Sequence, residues 1–168
     1  PGAVGARIAT ALAGEKVVCV AATHGHGDHV GGVAAIVSAT GAPFAISAAD
    51  AEMAKHAGDP AYSGSGIAYD DDAPEPSRLL AEGNVLAVGT ARFRVMETPG
   101  HTPGGICLVG EGTAEGIAFV GDTLFPGSCG RTDLAGGDSD AMRRSLARMG
   151  REIAPQTVLL CGHGPATT

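Results

Sequence analysis

The sequence predicts a sheet-rich α/β domain with helices packed outside the sheet. Three observations carry that expectation. Strand-like and helix-like segments alternate through the first third of the chain, two antiparallel strand pairs follow, and 168 residues are enough for one domain (1–168) with a proper core.

In chain order, Val4, Ile8 and Leu12 recur at four-residue steps, so a short amphipathic helix is expected over Pro1–Ala13, closed by Gly14. The apolar run Val17–Ala22 reads as a buried strand. Val30, Val33, Ile36 and Val37 have helical spacing, giving a helix from Val30 to about Thr40, stopped by Gly41. A short strand is expected at Pro43–Ser47 and a helix at Asp50–Ala57. Periodicity then vanishes from Asp59 to Arg78, and a loop of that length, rich in glycine and proline, is expected to be mobile and to border a functional site. Asn84–Val88 and Ala91–Glu97 form a hairpin turning at Gly89-Thr90, and Ile106–Val109 pairs with Ile117–Val120. Asp138–Met149 is a helix, with Asp138 or Ser139 as its N-cap and Met142, Leu146 and Met149 on its buried face. Thr157–Cys161 is a last apolar strand.

Composition narrows the function. The chain is 44% apolar and 17% charged, as globular proteins are, with a net charge of −7 and a pI near 5.2. No lysine or arginine cluster offers the basic footprint of a nucleic-acid groove. No apolar run approaches the length of a membrane span. Cys19, Cys107, Cys129 and Cys161 stand far apart without a C-x-x-C pair, as small core residues in a reducing compartment do, which points to the cytoplasm.

The chemistry concentrates in His24-Gly25-His26-Gly27-Asp28-His29, which leaves the end of a strand and enters a helix. His24 and His26, two apart in extended chain, turn their imidazoles the same way and can grip one metal. Asp28 and His29 follow a bend that Gly25 and Gly27 permit, and reach a second point nearby. His101, in Thr98-Pro99-Gly100-His101-Thr102-Pro103-Gly104, and His163, after Gly162, also follow strands; of the six histidines only His56 does not. Asp122 follows Gly121 in the same manner. Loops at one end of a sheet are where sites are assembled. Five histidines and two aspartates without thiolate suit zinc, iron or manganese. They fit two sites sharing one carboxylate, with the ions about 3.5–4 Å apart.

The ordered set, completed by Gly121-Asp122-Thr123-Leu124-Phe125, Gly127-Ser128-Cys129-Gly130-Arg131 and Gly162-His163-Gly164-Pro165, resembles the metallo-β-lactamase superfamily and, within it, single-domain hydroxyacylglutathione hydrolase (glyoxalase II)-like proteins. The resemblance implies an αββα sandwich with two zinc ions, or iron or manganese, at one edge of the sheets. His24, His26 and His101 would hold the first metal and Asp28, His29 and His163 the second, with Asp122 bridging. Arg131 falls where the glyoxalase II pattern has a basic residue against the glutathione part of the substrate; a loop salt bridge with Asp133 is the competing reading. Two departures stand out. The superfamily fold begins with a strand pair ending in Asp-Pro-Gly, and this chain opens at that Pro-Gly, so the first pair is expected to be missing and the N-terminus truncated. The helical C-terminal region of two-domain glyoxalase II enzymes has no counterpart before Thr168.

The activity so implied is thioester hydrolysis, S-lactoylglutathione being the type substrate, by a metal-bound hydroxide that Asp28 orients. The partner is a small-molecule thioester, not nucleic acid or membrane. The same scaffold with one iron on His24, His101 and Asp122 resembles persulfide dioxygenases, lactone or β-lactam hydrolysis uses nearly the same ligands, and a purely structural metal role is the non-enzymatic rival.

Overall fold

The structure, a computed structural model, describes residues 2–59 and 72–168, with side chains from Gly5 onward. Pro1 and residues 60–71, most of the loop expected from Asp59 to Arg78, lie outside the described residues. The chain divides into two compact units, Pro1–Leu79 and Leu80–Thr168.

In the first unit α1 (Gly2–Ala11) leads to β1 (Val20–Ala21), then α2 (Gly27–Val30), α3 (Val33–Thr40), β2 (Phe44–Ser47) and α4 (Ala48–Ala54), and the unit closes into β3 (Arg78–Leu80). The strands form one sheet in the order β1-β2-β3, with β1 parallel to β2 through Val20↔Phe44 and Ala21↔Ala45. The central strand β2 is buried along its whole length, and Phe44 and Ile46 centre an apolar cluster with Ala22, Val30, Val33 and Ala54. The expected strand Val17–Ala22 shrinks to two residues because β1 is an edge: Val18 is 37% exposed, and among the described residues only β2 pairs with the strand. The expected single helix from Val30 is instead two helices, parted at Gly31-Gly32, where weak helix formers interrupt the apolar pattern. Gly41 (φ +66°) ends α3 by donating its N–H to the Val37 carbonyl, the left-handed stop that glycine supplies. The helix placed at Asp50–Ala57 starts earlier, because the Ser47 hydroxyl accepts from the Ala49 N–H and caps it.

The second unit is a five-stranded sheet in the order β10-β7-β6-β5-β4, built from β4 (Val85–Val88), β5 (Ala91–Glu97), β6 (Ile106–Gly112), β7 (Ile117–Gly121) and β10 (Val158–Cys161). β10 runs parallel to β7 and the other pairs are antiparallel. The hairpin at Gly89-Thr90 forms as expected, with Val88 opposite Ala91. A small ribbon of β8 (Leu124–Phe125) and β9 (Ser128–Cys129), absent from the sequence-based expectation, hangs beyond β7. Helix α5 (Ser139–Glu152) has Asp138 as N-cap, its carboxylate accepting from the Asp140 and Ala141 N–H groups. Met142 and Met149 are buried on its inner face, and Met149 and Leu146 join Met96, Cys107, Val109, Ala118, Val120 and Leu159 in the core. Arg148 ties the helix down from outside, donating to the carboxylates of Glu82 and Glu152 and to the Glu97 carbonyl.

Burial pushes the Cys107 thiol up to about 11 from 9.0, although Thr98 and Thr123 hydroxyls next to it pull the other way. Below the unfolded value both states are protonated, whereas between about 9 and about 11 the folded chain keeps a proton that the unfolded chain loses. Unfolding free energy from urea titration is therefore expected to fall as pH rises through that window, and Cys107→Ser to flatten the decline. An identical slope in the variant would contradict this account.

Candidate metal centre

In the first unit the chain leaves β1 into His24 and is pinned within two residues. The Gly25 N–H donates to Asp50 Oδ2 at 3.0 Å, and Asp50, in the first turn of α4, is fully buried. A Cβ on Gly25 would stand 2.7 Å from the Asp50 carbonyl oxygen and 3.1 Å from Met53 Cβ, so this close approach needs glycine. His26 is extended (φ −66°, ψ 146°) as N-cap of α2, which carries Asp28 and His29 in its single turn. The His24 ring stands edge-on to His26 at 4.9 Å between centroids and 4.0 Å from His29. His24 and His26 are buried, while Asp28 is exposed beside His29, with Oδ2 3.8 Å from His29 Nε2. The turn thus gathers three imidazoles, with the His24 ring nearer to His29 than to His26, whereas the spacing pairs His24 with His26.

In the second unit the strand ends do the positioning. His101 follows β5 on a loop held by Ser145, whose hydroxyl donates to the Pro99 carbonyl at 2.7 Å, and by the Asp138 N–H on the Gly100 carbonyl at 2.8 Å. Asp122 follows β7 and His163 follows β10; the Gly162 N–H donates to the Gly121 carbonyl at 2.8 Å and joins those two ends. His101 Nε2 lies 3.6 Å and His163 Nε2 3.4 Å from the same oxygen, Asp122 Oδ2. His101 Nδ1 stands 2.8 Å from the Arg131 carbonyl, which can only accept, so Nδ1 carries a proton and Nε2 is the ring nitrogen turned toward Asp122. Gly130 makes this possible, since a Cβ there would collide with the Asp122 carbonyl and stand 3.1 Å from His101 Cγ.

These residues line a cleft of about 440 Å³ with Phe125, Pro126, Gly130, Arg131, Gly164 and Pro165. Arg131 is on the rim, 58% exposed, and its guanidinium forks onto Asp133 with two hydrogen bonds of 2.7 Å. That pairing holds the Asp133 carboxyl down at about 2. The loop salt bridge is therefore present. Cys161, the last residue of β10, has its thiol pushed up by burial and by the Asp122 charge, which disfavours the thiolate a soft metal would want.

The donor set of each unit suits a metal ion, since imidazole nitrogen and carboxylate oxygen are ordinary ligands of zinc, iron and manganese. Two donors each 2.0–2.2 Å from a tetrahedral zinc stand about 3.4 Å apart, close to the two separations at Asp122 Oδ2. Those gaps are too long for strong hydrogen bonds and suit atoms that share an ion.

The metallo-beta-lactamase superfamily model matches residues 1–163. The chain belongs to that superfamily. An uncharacterized protein of Aquifex aeolicus is 38% identical over 171 residues, covering 100% of this chain and 78% of that one. A hydroxyacylglutathione hydrolase of Cereibacter sphaeroides is 36% identical over 141 residues, 84% of this chain but only 46% of that protein, so the chain spans about half the length of the named relative it matches. Among solved structures, the B3 metallo-beta-lactamase BLEG-1 superposes with a TM-score of 0.85 at 32% identity, over 100% of this chain and 80% of that one. TTHA1623, solved in a di-iron-bound form, gives 0.81 at 34% identity, over 96% and 78%. The chain has the metallo-beta-lactamase fold, as the motifs led one to expect.

Asp50 is the functional residue that sequence reasoning passed over. An acidic residue at a helix start reads as a response to the helix dipole, and nothing in the sequence ties it to Gly25, 25 positions earlier. Asp50→Ala removes the acceptor of a buried N–H and is expected to cost about 1–3 kcal/mol of stability in the metal-free chain, with Asp50→Asn costing less. Urea denaturation of both variants checks it; an alanine variant as stable as wild type would contradict the tie.

Proposed function

We propose that the protein is a metal-dependent hydrolase of small-molecule thioesters, of the kind S-lactoylglutathione represents. The observation that carries this reading is the Asp122 carboxylate set between His101 and His163, one oxygen 3.6 Å and 3.4 Å from their Nε2 atoms, which suits a bridging ligand. Likeness to a hydroxyacylglutathione hydrolase supports the thioester. We assign His24, His26 and His101 to one ion and Asp28, His29 and His163 to a second, with Asp122 serving both. Zinc is the proposed metal; the di-iron form of TTHA1623 favours iron as the alternative.

When bound, such ions lower the pKa of a water to about 7 and polarise a carbonyl oxygen. The chain's own groups do the remaining work. Asp28, exposed at its helix start, accepts a hydrogen bond from the attacking water and aims it. Asp122 and His101 hold their donor atoms at fixed separations through backbone contacts, so little reorganisation is needed as charge develops. Phe125, Pro126 and Pro165 give the cleft an apolar wall for the acyl group. Arg131 receives a carboxylate of the thiol carrier by exchanging it for Asp133, an exposed pair worth little in itself. The thiolate leaves without a general acid. Among the described residues no helix is long and apolar enough to cross a membrane. The cytoplasm is the proposed place of work, in keeping with four free cysteines.

Asp122→Ala is expected to lower zinc content at both positions and to cut kcat/KM for S-lactoylglutathione at least about a hundredfold, as loss of a metal ligand does. Elemental analysis and a panel of glutathione thioesters, a lactone, a β-lactam and glutathione persulfide check it. Unchanged stoichiometry would remove the bridge. Turnover of the persulfide alone, with oxygen consumed and iron required, would replace hydrolysis by dioxygenation.

A further inference from the structure

The ends of β5 and β7 carry His101 and Asp122, yet these strands are not neighbours: β6 lies between them. The β6–β7 ladder pairs Leu108 with Phe119 and Val109 with Ala118, and stops short of Gly121 and Asp122. Backbone hydrogen bonding across β6 therefore does not by itself set the distance between the two ligand-bearing ends. A side-chain bond crosses the gap. Thr98, just past β5 and three residues before His101, and Thr123, directly after Asp122, are 0% and 3% exposed, and their hydroxyl oxygens lie 3.0 Å apart. The Cys107 thiol of β6 sits beneath them, 3.4 Å from Thr98 Oγ1 and 4.0 Å from Thr123 Oγ1.

We propose that Thr98 and Thr123 form a hydroxyl latch that fixes the spacing of His101 and Asp122, making both of them positioning residues for the metal centre. The proposal rests on the reading that His101 and Asp122 are metal ligands. Three features support it. Both hydroxyls are buried away from water, where a hydrogen bond is electrostatically stronger. Both belong to β-branched residues, whose stiff χ1 transmits the position of the bond to the backbone. Each lies within three residues of a donor, on the loop that carries it. Nothing in the latch touches substrate, so its effect passes through the two ligands.

The test is zinc affinity, by chelator competition, in Thr98→Val, Thr123→Val, the double valine variant and the two serine variants. Each single valine variant is expected to bind zinc about ten- to hundredfold more weakly, as loss of an outer-shell partner does, and each serine variant, which keeps the hydroxyl but loses the stiff β-branch, to fall between its valine counterpart and wild type. The double variant separates positioning from packing. It replaces a polar pair by an apolar pair of the same shape, so its melting temperature is expected to stay near that of wild type while zinc binding stays weak. A double variant with wild-type zinc affinity would overturn the latch. Wild-type protein that binds zinc but cleaves no thioester would refute the thioester reading alone, and the affinity comparison would still decide the latch. If the wild-type chain bound no zinc, the metal reading would fall and amide exchange in the metal-free chain would decide: faster exchange at residues 99–102 and 121–124 in both valine variants supports the latch, and unchanged exchange refutes it.

Discussion

The second unit is organised around one carboxylate. Asp122 is nine-tenths buried, stands between two imidazole nitrogens, and lies where three strand ends of the sheet come together. A buried anion is costly unless charge or hydrogen bonds compensate it. A metal cation held by the neighbouring side chains would supply that compensation. Much of what surrounds Asp122 can be understood as keeping its oxygens there. Gly130 lets the neighbouring backbone pass beneath it, the Arg131 carbonyl sets the His101 tautomer, and the Gly162 N–H bonds back to Gly121.

The first unit meets the same demand differently. Its imidazoles come from one short turn, so sequence proximity gathers them and the remaining task is to hold the turn still. A fully buried carboxylate, Asp50, does so through a backbone N–H, and Gly25 leaves room for the contact. Both units therefore place glycine where backbone must come close to a ligand and use main-chain groups to steer side chains. Such contacts are stiffer than contacts between long side chains, which suits a site whose geometry is its chemistry.

Most of the fold, and the residues proposed as donors, were legible from the sequence because the signals are local. Alternation and helical spacing marked β5, β6, β7, β10 and α5, and Asp138 announced its own cap. The histidines stood out because they share one position, just after a strand. What escaped was non-local or too short to be periodic. The ribbon β8–β9 has two residues per strand, below the length at which alternation can be seen, and β1 lost its first residues because an edge position, not composition, sets its length. The break at Gly31-Gly32 was written in the sequence but outweighed by the apolar pattern on either side. Asp50 and the Thr98–Thr123 bond depend on side chains 25 residues from their partners, and no spacing rule links them.

Imidazole and carboxylate alone are expected to hold the metal in this chain. Zinc-edge X-ray absorption on the loaded protein tests this most directly. The expected spectrum has nitrogen and oxygen at about 2.0–2.2 Å with the more distant scattering of several imidazoles. A sulfur scatterer at about 2.3 Å, bringing Cys129 or Cys161 into the shell, would contradict it.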